Sequence, residues 1–175
     1  MTNLTLKKLW AQLSKRRQKQ FRLLLVLMII SSLFEIVSIG MILPFLGALS
    51  MPEQVYQYPL MQPIIEVLEI SKPSQLMLPL AVLFITAALL TGLIRLTLLY
   101  AITRFGYATG ADLSINIYRL TLYQDYAVHV SRNSSQIINA IITKTNTVIS
   151  GTILPTLNFI SSMILEASSY FIIAI

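Results

Sequence analysis

Three ionisable side chains, Glu35, Arg95 and Glu166, stand inside stretches that otherwise hold apolar residues. A charge at the centre of a membrane-spanning helix costs at least ~2.5–3.5 kcal/mol, so such groups pair, face an aqueous cavity or meet a polar cargo. Glu35 shares a helical face with Ser31 and Ser38 at i−4 and i+3. Glu166 shares one with Asn158, Ser162 and Ser169. These faces can serve as a polar translocation path lined by both carboxylates. They can equally serve as packing surfaces on which protonated or hydrogen-bonded carboxyls join neighbouring helices. Arg95, on the face of Thr91, lies nine residues before Arg104, about 14 Å along a helix. It can snorkel to the interface, pair with Glu35, or bind a phosphate-bearing substrate.

Other chemistry is excluded by residue type. The chain has no cysteine and a single His129, which removes disulfides, thiolate nucleophiles and a histidine-based zinc cluster. No G-x-x-x-x-G-K-[ST] loop, H-E-x-x-H pair or G-x-S-x-G elbow is present. The chain is not expected to be an enzyme by itself, and no metal or cofactor site is assigned to it.

The surroundings of the three charges account for this poverty of catalytic groups. Only 11% of the 175 residues are charged, against roughly 25% in soluble domains, and 55% are hydrophobic. The apolar residues form runs too long for core helices, so the pattern is that of an all-α integral membrane protein. Net charge is +6, and Lys7, Lys8, Lys15, Arg16, Arg17, Lys19 and Arg22 all precede the first acid, Glu35. Such a basic cluster abutting a span and lacking a globular partner domain points to anionic lipid headgroups rather than nucleic acid.

Residues 1–20 are expected to form an amphipathic interfacial helix, with Leu6, Leu9, Trp10 and Leu13 on one face and Trp10 as interfacial anchor. A basic tail without structure is the alternative. Residues 23–49 form a first span, bent near Gly40, Pro44 and Gly47. Residues 50–75 form an external loop with four prolines and a short helix over 64–70. Residues 76–125 form a second helix, roughly 75 Å long, of which the bilayer takes only about 30 Å. Gly106 and Gly110 within it mark close helix packing or a local bend. The chain turns at 126–132, and an N-cap among Asn133, Ser134 and Ser135 starts a third long helix over 134–175. The excess of Lys and Arg in the N-terminus and around the turn predicts a cytoplasmic N-terminus; the expected location is a bacterial inner (plasma) membrane. Because the last apolar run reaches Ile175, a fragment of a longer protein is expected.

The segments Asp112-Leu113-Ser114-Ile115-Asn116-Ile117-Tyr118-Arg119-Leu120 and Tyr126-Ala127-Val128-His129-Val130-Ser131-Arg132-Asn133-Ser134-Ser135 resemble the first intracellular loop of the exporter-type membrane domain of ABC transporters. The opening Phe34-Glu35-Ile36-Val37-Ser38-Ile39-Gly40-Met41-Ile42-Leu43-Pro44-Phe45, followed by Met51-Pro52-Glu53, is similar to the subfamily that flips lipid-linked oligosaccharides and exports polysaccharide-type cargo. The resemblance covers the first half of a six-helix domain. It implies that Tyr126, Ala127, Val128, His129, Val130, Ser131 and Arg132 form a coupling helix docked on a nucleotide-binding domain. It further implies a homodimer and an amphiphilic cargo, with ATP and Mg held by that domain. On the residues alone, His129 reads as a solvated or partner-facing side chain, and a non-transport membrane scaffold is the rival function.

Overall fold

The computed structural model describes residues 14–67, 70, 72–126 and 133–173, and it is all-helical, with no strand among them. Its elements are α1 (Lys15–Gly40), α2 (Ile42–Ser50), α3 (Pro52–Tyr56), α4 (Gln62–Val67), α5 (Met77–Leu122), α6 (Ser134–Val148) and α7 (Leu154–Ile173). Short 3-10 turns lie at Pro59–Met61 and Pro73–Leu76, and a π-helical turn, Ile149–Ile153, joins α6 to α7. Three stretches, Lys15–Ser50, Met77–Leu122 and Ser135–Tyr170, are long and apolar enough to cross a membrane. Large side chains such as Leu23, Leu43, Leu78 and Leu89 are exposed along them. Apolar surface on this scale belongs to a protein covered by lipid rather than water.

Backbone chemistry places the breaks. Pro44 has no N–H to offer the Gly40 carbonyl, and the helix is interrupted at Met41 just between α1 and α2. Pro155 stands in the same relation to the Gly151 carbonyl. There the chain widens into the π turn, and the Leu154 N–H donates to Ile149 O five residues back. Asn133 caps α6, its Oδ1 accepting from the Ser135 N–H at 3.0 Å.

Several boundaries differ from the expectation. Lys15–Gln20 are not part of a separate interfacial helix; they are the first turns of α1, continuous with the span. The remainder of the expected elbow, residues 1–13, lies outside the described residues. The segment between the first two long helices holds α3 and α4; α4 is described over Gln62–Val67, beginning before the expected 64–70, of which residues 68 and 69 lie outside the described residues, and the Ile70 N–H donates to Ile65 O at 3.0 Å.

The chain divides into two compact units, Met1–Met28 with Leu98–Ile164, and Ile29–Thr97 with Leu165–Ile175. In the first, Leu24 and Met28 of α1 meet Leu98, Ile102 and Phe105 of α5 and Leu157 of α7. Spacings of four and three residues put each set on one helical face. The Phe21 and Phe105 rings pack beside this core, with centroids 5.9 Å apart. In the second unit, Ala48, Val55, Ile65, Ile70, Leu76 and Leu80 form a small core joining α2, α3, α4 and the start of α5. The Tyr56 hydroxyl donates to Ile70 O at 2.9 Å, and Phe45 stacks on Phe84 at 5.1 Å.

Candidate functional site

In the second unit, Glu35 and Arg95 lie in a polar layer where α1 meets α5 and α7. On α1, Ser31 and Ser32 are buried and Glu35 follows one turn later, so the polar face turns inward as its spacing requires. On α5, Thr91 and Arg95 are one turn apart and both reach α1. Arg95 Nη1 donates to Glu35 Oε1 at 2.6 Å. Thr91 Oγ1 lies 3.1 Å from Phe34 O and 2.8 Å from Ala87 O of its own helix. From α7, Ser168 Oγ lies 3.2 Å from Ser32 Oγ, whose hydroxyl also reaches Ile29 O at 2.9 Å. The result is a polar layer of three helices with one net-neutral ion pair in it.

Of the alternatives open to Arg95, the structure has it paired with Glu35. The pair is lopsided: the Glu35 side chain is 20% exposed, whereas that of Arg95 is 67% exposed. Arg95 therefore neutralises a sheltered carboxylate while most of its own side chain remains open to whatever surrounds α5. An arginine fork carries five N–H donors, of which the contact with Glu35 Oε1 uses one.

Glu166 is not brought to this layer. It lies two residues before Ser168, about 200° around a helix, so with Ser168 turned to α1 the carboxylate is directed away and is exposed. Asn158 and Ser162 are exposed as well, and Ser169 is half-buried. Among the described residues Glu166 has no ion-pair partner. Tyr126 is exposed next to the turn, and the remaining coupling candidates, Ala127, Val128, His129, Val130, Ser131 and Arg132, lie outside the described residues.

One arrangement in the first unit escaped the sequence reading, and a second was expected there only as one of two alternatives. Arg17, one of seven basic residues treated alike, is set apart by a bidentate pair with Asp112, Nε–Oδ2 2.7 Å and Nη2–Oδ1 3.1 Å. Its Nη2 also donates to Ala108 O at 3.1 Å, and its Nη1 to Gln20 Oε1 at 2.7 Å. A signal was available, since Arg17 continues the face of Phe21, Leu24 and Met28, and Asp112 that of Leu98, Ile102 and Phe105. Each is a charge standing at a buried register. The second arrangement is the close seat of α5 on α6 and α7. A Cβ at Gly106 would meet Leu154 Cδ2 at 2.6 Å, and one at Gly110 would collide with Ile149. One turn further, Ser114 Oγ donates to the buried Thr145 Oγ1 at 3.0 Å. Gly106, Gly110 and Ser114 at intervals of four are the small-residue pattern that lets membrane helices approach closely. Both glycines lie within the unbroken α5, where the expected close packing is found.

Among the described residues no group of three or more His, Cys, Asp and Glu side chains could hold a metal ion. Comparison with known proteins gives no match, whether to a family model, a curated protein or a solved structure.

Proposed function

We propose that this chain is a membrane-spanning part of an ATP-driven exporter or flippase that carries an amphiphilic cargo of the lipid-linked saccharide kind by alternating access. The observation that carries the reading is α5. It runs 46 residues without interruption, about 69 Å, more than twice the ~30 Å of hydrocarbon. Beyond Ala101 its sequence turns polar, and this part is held against α6 through Gly110 and the Ser114–Thr145 bond. A stiff hairpin of this kind can pass a push at its tip to the membrane helices. The tip carries exposed aromatic side chains, Tyr123 at 92% and Tyr126 at 82%, as a docking surface would.

In this proposal the coupling element is Tyr126–Arg132, and the open part of Arg95, Glu35 and the exposed Glu166 face the cargo path. The N-terminus is cytoplasmic, the membrane is a bacterial inner membrane and the assembly is a homodimer. The chain has no phosphate-cradling loop, so ATP and Mg belong to a nucleotide-binding domain.

The absence of cysteine makes single-cysteine chemistry clean. With Tyr126→Cys in native membranes, a short thiol-to-amine cross-linker is expected to capture a polypeptide segment bearing a Walker-type ATPase. Adducts confined to polypeptides without one would replace the transport reading with that of an anchoring scaffold.

A further inference from the structure

The basic residues at the start of α1 divide into two faces. Arg17 points with Leu24 and Met28 into the first unit and is held by Asp112. Lys15, Lys19 and Arg22, at i, i+4 and i+7, occupy the opposite face, and all three are exposed. The exposed Leu23 and Val26 follow within a turn. Arg104 stands at the same level on α5: it adjoins Phe105 as Arg22 adjoins Phe21, and those two rings are in contact. Arg104 Nη1 donates to the Tyr100 hydroxyl at 3.0 Å and its guanidinium lies 5.9 Å from the Tyr100 ring centroid, an arginine–tyrosine couple suited to a membrane interface.

This surface has no counter-charge of its own. The first unit contains two acids, Asp112 and Asp125, and Asp112 is engaged by Arg17. The first turn of α1 contains no acid, so Lys15 and its neighbours also oppose the positive end of the helix dipole. An anion from outside relieves both conflicts, and the apolar side chains that begin just beyond specify one that carries acyl chains.

We propose that Lys15, Lys19 and Arg22 of α1 bind the phosphate headgroup of an anionic membrane lipid in the leaflet at the Lys15 end of α1. The site is separate from the Glu35–Arg95 layer and does not depend on the transport reading.

The test uses the full-length protein in mild detergent, incubated with equal amounts of phosphatidylglycerol and phosphatidylcholine. Lipid retained through size exclusion is quantified by mass spectrometry. Phosphatidylglycerol is expected to be retained in preference, and the ratio to fall by about fivefold for each cation removed in the series K15Q, K19Q and R22Q. The exposed cations elsewhere serve as a control, and R119Q/K144Q should leave the ratio unchanged. Should the triple variant not elute as the wild-type species, wild type at about 1 M salt, where screening shortens to ~3 Å, must lose the preference instead. Equal retention of the two lipids, or a preference insensitive to both the substitutions and salt, overturns the proposal. Loss of lipid to excess inorganic phosphate overturns it too, by showing a site for free phosphate.

Discussion

Arg95 and Glu35, sixty residues apart in sequence, form an ion pair between α5 and α1 with 2.6 Å between Nη1 and Oε1. Each is the other's reason for being tolerated in an apolar helix. Removing one leaves the partner with an uncompensated charge, whereas removing both leaves a neutral contact. A double-mutant cycle of E35Q and R95Q, read by denaturation in detergent, should therefore be non-additive, with a coupling of about 1–3 kcal/mol. Additive losses would mean that the pair does not persist in solution.

Glu166 is expected to behave differently. Directed away from Ser168 and exposed, it has no contact whose loss should weaken the fold, so E166Q should lie within about 0.5 kcal/mol of wild type. If Glu166 faces the cargo path, cargo export by the complete transporter should nonetheless drop in E166Q, and in E35Q beyond what its stability change explains. Unchanged export in both variants would assign the carboxyls to packing.

The glycines of α5 separate packing from propensity. Gly92 has nothing within 4 Å of a built Cβ, so G92A should gain up to about 1 kcal/mol of helix propensity. At Gly110 the same methyl group runs into Ile149. There the overpacking, about 1–3 kcal/mol, should outweigh the propensity gain, and G110A should lower the melting temperature. Adding I149A to G110A should return part of the loss. Equal behaviour of G92A and G110A would contradict the close seat of α5 on the turn at Ile149.

Arg17 and Asp112 tie the start of α1 to α5 beyond the apolar stretches. The Arg17 side chain is 14% exposed and that of Asp112 43%, so solvent screens part of the attraction and R17Q or D112N should each cost about 1 kcal/mol. The charge-swapped R17D/D112R should recover part of that loss. The local signature is faster amide exchange over residues 15–24 in R17Q, and an unchanged exchange pattern there would show that the pair does not hold α1.

Much of the secondary structure follows from local chemistry that the chain carries on its face. Apolar runs longer than a bilayer is thick predict three spans; Pro44 predicts a bend, and the helix is interrupted nearby at Met41; Asn133 with the following serines predicts the α6 cap. These features depend on residues within a turn or two of one another, so sequence suffices. Pro155 carried the same kind of information for the π turn, but whether a helix bends, breaks or widens at a proline depends on what packs beside it, here the glycine face of α5. Glu35 and Arg95 of the polar layer were legible as candidates because a charge among apolar neighbours is conspicuous. Their pairing was legible only as one of three alternatives for Arg95, since partnership depends on the rotation and axial register of one helix against another. A shift of one residue turns a side chain by about 100°. That register, fixed by the packing of Leu24, Met28, Ile102 and Phe105 in one unit and by Ser32, Thr91 and Ser168 in the other, is what joined Arg95 to Glu35, removed Arg17 from the basic face and left Glu166 facing outward.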